Sequence, residues 1–301
     1  MEPSALADRF EPLFDLYEGN KYGSALNEIL QEDWNLFTIS GARTQQKLLI
    51  EISGDDSIST GKFKSTLLKE KKNVKQWETF REELKHNNRF FPTDSIKKDQ
   101  LEPFGKHIGT IIKKGKQKFY RARVNNTDKA FELIEMGKPP KKLVLNGRAN
   151  PIGISYLYVA STINTAISEL RGHKEEQVTV AEFEMNDDLE LADLRDPLKT
   201  ISPFELNDES ELELIYKNMP FLLLLGRELS KPVIPREANL EYLPSQYLSE
   251  LLKHIGFHGI IYKSSLTDGN NYVIFDDKRL TATKKNIYKI TDVITQSDKI
   301  S

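Results

Sequence analysis

Apolar positions recur at helical spacing through the first hundred residues. Leu26, Ile29, Leu30, Trp34 and Phe37 fall at i, i+3, i+4, i+8 and i+11, one face of a helix. Leu48, Leu49 and Ile52 mark a second helix, and Trp77, Phe80 and Leu84 a third. Between them SGDDSISTG, residues 53–61, is loop chemistry. No strand alternation is visible here, so this region reads as a small helical domain. Residues 91–118 change character: Pro92, Pro103, three glycines and a lysine run read as a connection into a second domain, its basic side chains a solvated face or, less often for such runs, a phosphate-facing patch.

From Phe119 the pattern turns mixed. KFYRARV, residues 118–124, alternates like a strand with Phe119, Arg121 and Arg123 on one face. ISYLYVA, residues 154–160, reads as a second strand and VTVAEFEM, residues 178–185, as a third. Between them Ser161 or Thr162 caps a helix whose stripe is Ile163, Ala166, Ile167 and Leu170, and Gly172 ends it. Residues 208–229 are helical in spacing but broken by Pro220, and a helix opening near Pro244 stops at Gly256. GIIYKSS and NYVIF flank LTDGN as a pair of short hairpin strands. The tail after Thr281 is polar and peripheral. The expected class is α+β, with a helical domain over residues 1–111 and a mixed-sheet domain over 112–301.

A chain of 301 residues has enough length for a sizeable core. Lys plus Arg total 43 against 45 Asp plus Glu, a net charge of −2, so no global attraction to nucleic acid or acidic membranes is encoded. Cysteine is absent, which excludes disulfides, zinc ribbons, iron–sulfur clusters and thiol nucleophiles. Glu2 and Asp8 stand where a signal peptide wants positive charge, and no apolar run approaches the length of a membrane span. A cytoplasmic protein is expected, one that is not bound to membranes. No HExxH or EF-hand loop suggests a metal. Asp193–Pro197, DLRDP, reads as a turn after a strand.

Four segments of the second domain carry polar residues that a plain core would not ask for. They are Arg121 within an apolar strand, Arg148 in the loop GRANP with Tyr156 and Tyr158 beyond it, Glu169 behind that strand, and Ser264 with Ser265 after GIIYK. Glu169 lies roughly 120° from the centre of its helix stripe, at the border of the buried face. Singly, each has an ordinary reading: an edge ion pair, a turn, a solvated glutamate, a turn start.

In order, FYRAR, GRANPIGISYLYVAS, TAISEL, GIIYKSS and NYVIF resemble the RES-domain family, which takes its name from its Arg, Glu and Ser. The resemblance covers about residues 117–278. It maps the family's first arginine onto Arg121, with Arg123 a rival. The loop arginine falls on Arg148, the strand tyrosine on Tyr158, the glutamate on Glu169, and the serine on Ser264, with Ser265 competing. It implies a fold similar to ADP-ribosyltransferases, NAD⁺ as substrate with no other cofactor and no metal, and a toxin of the kind often paired with an antitoxin. Catalytic work then falls to Glu169, Arg121 and Ser264, and binding to Arg121, Arg148, Tyr158 and Ser264. The expected reaction is NAD⁺ hydrolysis or phosphorolysis, depleting cellular NAD⁺. ADP-ribosyl transfer to a protein from the same site is the alternative. An antitoxin or regulatory partner and a homo-oligomer both fit; nucleic acid does not.

These residue types suit that chemistry. Breaking the nicotinamide–ribose bond leaves a sugar cation resembling an oxocarbenium ion, which an ionised carboxylate such as Glu169 stabilises. Arginine grips pyrophosphate oxygens with a planar fork that stays charged. A tyrosine face such as Tyr158 stabilises the cationic nicotinamide ring by roughly 0.5–2 kcal/mol. Ser264 as a nucleophile would need a base; His254 and His258 are near in sequence, but no triad pattern is recognisable. No GxGxxG follows a strand, so hydride transfer does not fit. In the helical domain, Arg81 and His86 have the R–x4–H spacing of metal-independent ribonucleases, a remoter reading beside partner binding or control of the NAD⁺ site.

Overall fold

The computed structural model describes residues 2–93 and 95–294. In chain order the elements begin with α1 (Ala7–Phe14), β1 (Tyr17–Ser24), α2 (Leu26–Trp34), α3 (Ala42–Ser53), β2 (Phe63–Ser65), α4 (Lys72–His86), α5 (Lys98–Ile108), β3 (Gly109–Ile112) and β4 (Phe119–Val124). They continue with β5 (Leu157–Ala160), α6 (Ile163–Ser168), β6 (Gln177–Met185), β7 (Leu189–Asp193), α7 (Pro197–Thr200) and α8 (Glu209–Ser230). The last are α9 (Ala238–Glu241), α10 (Leu243–Ile255), β8 (Gly259–Lys263), β9 (Asn270–Ile274) and β10 (Leu280–Lys289).

These elements form two compact units. The first holds the chain up to Glu78 with Asp196–Leu224; the second holds Thr79–Arg195 and the chain from Leu225. The division therefore does not follow a single cut at residue 111: residues 79–111 belong with the large sheet, and residues 196–224 return to the helical unit.

The helical unit buries Leu30, Trp34, Leu49 and Ile52 from the predicted stripes, together with Ile215 and Met219 of α8. Phe37 lies beyond the end of α2, where Asn35 turns left-handed at φ 49°. The expectation of no strands here fails. β1 and β2 pair antiparallel. Their sequences, YEGNKYGS and FKS, carry Gly, Asn and Lys where alternation would need apolar β-formers.

The second unit is built on an eight-stranded sheet in the order β10-β6-β4-β5-β9-β8-β7-β3. All neighbours are antiparallel except β7 and β8. Strand alternation separates two cores. One gathers Phe119, Leu157, Val159, Phe183, Leu191, Ile261, Tyr272 and Ile274. The other packs Ala122, Ala160, Val178 and Val180 against Ile163, Ala166 and Ile167 of α6 and Leu170 just after it. Residues 91–118 are more than a connection: α5 buries Leu101, Phe104 and Ile108 and packs on α10 and β7, although Pro103 sits inside it. The segment after Thr281, expected to be peripheral, joins the sheet through Lys289; its last residues, 295–301, lie outside the described residues. β10 pairs with the whole length of β6, and its lysine-rich sequence suits an edge strand exposed to water. α8 runs unbroken through Pro220.

Candidate active site

The sheet divides between β4 and β5. Those two strands share a single register pair, Tyr120 with Ala160, whereas β4 and β6 pair along six positions. Backbone groups of β5 therefore need other partners. Arg121 provides one: its Nη1 donates to the Tyr158 carbonyl at 3.0 Å. Burial, then the neighbouring Arg123, lowers the Arg121 pKa to about 10, so the guanidinium stays charged at neutral pH. Its Nε is buried with no hydrogen-bond partner among the described residues. Arg123, two residues along the same face, turns elsewhere. Its Nη1 donates to the Glu135 carbonyl at 2.6 Å, and its guanidinium lies 4.1 Å from the centroid of the Phe131 ring.

A cleft of about 350 Å³ opens where the strands part. One cross-strand row contributes Tyr120 of β4, Ala160 of β5, Asn271 of β9 and Tyr262 of β8, each in register with the next. Arg121, Arg148, Tyr158, Glu169, Arg171 and Tyr242 line the same cleft. The two arginines and the carboxylate that the sequence puts far apart thus share one space.

Glu169 caps the C-terminus of α6, whose first turn is closed by the Thr162 hydroxyl accepting from Thr165 N. The side chain is held at one oxygen only. Ser264 Oγ donates to Glu169 Oε1 at 2.7 Å, and Asn271 Nδ2 donates to the same atom at 2.6 Å. Among the described residues nothing hydrogen-bonds Oε2, and no lysine or arginine pairs with the carboxylate. This leaves an oriented, exposed carboxylate with one oxygen free of hydrogen bonds among the described residues, on a residue that lines the cleft.

Ser264 is the serine that meets Glu169; Ser265 is exposed and makes no such bond. The Ser264 hydroxyl also accepts from Leu266 N at 3.1 Å and Thr267 N at 3.3 Å, which folds the hairpin tip back onto itself. With its proton given to Glu169, Ser264 is an orienting group. No histidine bonds it among the described residues; His258 Nδ1 accepts instead from Glu190 N at 3.1 Å. Gly269 closes this tip against α6: a Cβ there would lie 2.0 Å from Thr165 Oγ1.

Tyr158 lines the cleft and is tied down at its hydroxyl. Its hydroxyl donates to Asn150 Oδ1 at 2.7 Å and accepts from Ala149 N at 3.0 Å, and burial pushes its pKa well above the usual tyrosine value. It locks the GRANP loop. Gly147 is required by this closeness, since a Cβ there would meet Asn150 Oδ1 at 2.3 Å and the Tyr158 hydroxyl at 2.8 Å. From α10, Gln246 Nε2 donates to the carbonyls of Gly147 and Asn150, and Ser245 Oγ to that of Arg148. On this fixed loop Arg148 Nη1 donates to the Lys231 carbonyl at 2.7 Å, and its guanidinium carbon lies 5.4 Å from the centroid of the Tyr242 ring.

Asn271, Tyr262, Tyr242, Tyr120 and Arg171 were not singled out by sequence. Asn271 had a signal: it is a polar residue opening the apolar run NYVIF. Tyr262 is buried, and burial followed by the nearby Tyr158 phenol raises its pKa strongly. Arg171 adds a third arginine at the cleft and holds a left-handed backbone at φ 50°, a conformation that non-glycine residues seldom adopt.

The other candidates separate. Arg81 Nη1 donates to the buried Glu228 at 3.2 Å, while His86 is exposed beside Glu82. Five residues apart on α4, they point roughly 140° away from each other and form no shared acid–base site. Asp193, in DLRDP, ends β7 and is closed by an ion pair with Arg195. Among the described residues, no three His, Asp or Glu side chains converge as a metal site, and no helix is long and apolar enough to cross a membrane.

No curated protein matches the chain. Among solved structures, the M. tuberculosis MbcT–MbcA toxin–antitoxin complex is similar at 12% identity over 63% of this chain and 92% of that chain, with a TM-score of 0.35. A family model described as the RES domain matches residues 118–293, more than half of the chain. The arginine, glutamate and serine that meet around this cleft lie within that match, and the chain belongs to the RES-domain family.

Proposed function

We propose that this cleft takes NAD⁺ and cleaves its nicotinamide–ribose bond. The observation that carries the reading is the half-held carboxylate. Glu169 is oriented through Oε1 by Ser264 and Asn271, its Oε2 takes no hydrogen bond among the described residues, and it lines a cleft that Arg121 and Arg148 also line. A carboxylate in this state serves a developing positive charge without having to reorganise.

The bond between ribose C1′ and the ring nitrogen breaks, and its electron pair goes to the nitrogen, which leaves as neutral nicotinamide. The sugar becomes a cation resembling an oxocarbenium ion. Glu169 lies against that charge and accepts a ribose hydroxyl. Water then bonds to C1′ and gives up a proton, yielding ADP-ribose. Arg148 and Arg121 bind the pyrophosphate. Arg148 uses one of its five N–H donors on Lys231 and keeps the rest for ligand oxygens. Tyr158 or Tyr120, both lining the cleft, offers the aromatic face, since the bonds of Tyr158 to the loop use its hydroxyl and not its ring. Such an enzyme is a toxin to the cell that makes it, and a restraining antitoxin-like partner follows as part of the same proposal.

The test is purified protein with NAD⁺ labelled in its adenylate half. Release of nicotinamide with free labelled ADP-ribose supports hydrolysis, and labelled ADP-ribose 1″-phosphate formed only with phosphate supports phosphorolysis. Glu169 is exposed, so a protein acceptor can also reach the site; label on a protein band supports transfer. NAD⁺ left intact by folded protein would contradict the proposal.

A further inference from the structure

Behind Arg148 lies a cluster of charges that the chemistry at Glu169 does not use. Lys85, near the end of α4, is 7% exposed, and its Nζ is 2.5 Å from Glu241 Oε1. Glu241 Oε2 accepts from Lys231 Nζ at 3.1 Å. Lys231 Nζ also lies 3.5 Å from Glu228 Oε1, which takes Arg81 Nη1 at 3.2 Å. Glu228 is 2% exposed.

Such a cluster is a poor device for stability. Desolvating charges is costly, and apolar side chains of similar shape fill the same space at least as well. Here the pairing is also incomplete: Glu228 Oε2 and Arg81 Nε are buried with no hydrogen-bond partner among the described residues. What the cluster does achieve is geometric. Glu241 is held by Lys85 at one oxygen and by Lys231 at the other, and the residues that meet Arg148 are Lys231 itself and Tyr242, which follows Glu241. The Lys231 carbonyl takes the Arg148 guanidinium, and Tyr242, the residue after Glu241, lies against that guanidinium. Ser245 Oγ ties the carbonyls of Arg148 and Tyr242 together.

We infer that Lys85, through Glu241 and Lys231, positions Arg148 and Tyr242 to grip the pyrophosphate-bearing half of a dinucleotide. Lys85 is thus a positioning residue, not a catalytic one. It lies in a stretch that the sequence assigns to the helical region, and it gives that stretch a part in substrate binding. The inference rests on the NAD⁺-cleaving reading above. The hydrogen bonds from Lys85 and Lys231 hold the Glu241 carboxyl below its ordinary pKa, against the upward push of burial, so Glu241 stays ionised at neutral pH.

The test compares wild type with Lys85→Met, Lys85→Arg and Glu241→Gln, each shown to be folded by circular dichroism. Lys285→Met, which removes a lysine from the pair with Glu132, is the control. Lys85→Met should raise the KM for NAD⁺ and the Kd for ADP-ribose by about tenfold while kcat stays within about twofold, a split that marks lost binding rather than lost chemistry. Glu241→Gln should move both constants in the same direction. Lys85→Arg should restore them, and the control should leave them unchanged. If Lys85→Met does not fold, Glu241→Gln carries the same expectation. An active wild type beside folded variants with unchanged KM and Kd, or a loss confined to kcat, would overturn this inference alone. A wild type that neither cleaves NAD⁺ nor binds ADP-ribose would overturn the cleft reading and this inference together.

Discussion

Each of the two units contains a carboxylate held by hydroxyl or amino donors, and the contrast between them separates structure from chemistry. In the helical unit Asp33 is 5% exposed and both of its oxygens are taken, Oδ2 by the Tyr17 hydroxyl at 3.0 Å and Oδ1 by Lys69 at 2.6 Å. Trp34 Nε1 donates in turn to the Tyr17 oxygen at 3.1 Å, and burial with Asp33 pushes the Tyr17 pKa far up. That aspartate is saturated, paired with a cation and sealed in a core. Glu169 in the sheet unit is its opposite. It has no cationic partner among the described residues, one oxygen fixed, the other open, and a cleft in front of it. A saturated carboxylate has no bonding capacity left for a ligand; a half-satisfied one in a cleft does.

The contrast is broken most severely by neutralising each carboxylate. Glu169→Gln should lower nicotinamide release by about 10³-fold, the scale of a lost electrostatic partner of the transition state, with little change in thermal midpoint. Asp33→Asn should do the reverse. It removes one partner of a mostly buried pair and should cost about 2–3 kcal/mol of stability, less than a fully buried pair because Lys69 is one-third exposed. Turnover below the lowered midpoint should stay within about twofold. Parallel thermal melts and nicotinamide assays check both, and a Glu169→Gln protein that melts early but turns over normally would erase the distinction.

Arg121 gives the next effect. Arg121→Ala should reduce kcat/KM by about 10²-fold, as a charge-assisted contact to substrate and the bond to the Tyr158 carbonyl are lost together. Its pKa near 10 also sets a sign. A base with a depressed folded pKa keeps its charge through neutral pH, so NAD⁺ affinity should be flat from about pH 6 to 9 and weaken as pH passes about 10. The same depression costs the fold stability below that pH and is relieved above it. Titration of Kd against pH distinguishes this from an affinity that falls already between pH 7 and 8.

The smallest effect sharpens the choice between neighbouring serines. Ser264→Ala removes one of two donors to Glu169 Oε1 and should lower kcat by about tenfold, while Ser265→Ala should leave it unchanged. A total loss at Ser264, equal to that of the glutamate, would point to covalent chemistry instead of orientation.

Much of the site was legible because its residues break local rules. An arginine in an apolar strand, a glycine-rich loop before paired tyrosines, and a glutamate at a helix border each stand out without knowledge of the fold. Their meeting was not legible. It depends on register across β4, β5, β9 and β8, which aligns Tyr120, Ala160, Asn271 and Tyr262 in one row, and register is a long-range property that no window of sequence contains. Tyr158 shows the limit of residue-type reasoning. An aromatic ring suggested stacking, and nothing in the sequence showed that its hydroxyl also fixes the GRANP loop through Asn150 and Ala149. In the fold, strands rich in β-branched and aromatic residues such as β6 and β8 were readable, while β1, β10 and α5 were hidden by Gly, Lys and Pro that tertiary pairing tolerates.

The central claim is that the Glu169 carboxylate acts on a bound dinucleotide and not on the fold. Its most direct test is single-turnover nicotinamide release from a stoichiometric mixture of NAD⁺ and protein, wild type beside Glu169→Gln, with the Kd for NAD⁺ measured on the variant by calorimetry. The account predicts rapid release by wild type and almost none by the variant, at a Kd within about threefold of the wild-type KM. Release by Glu169→Gln at the wild-type rate would contradict it.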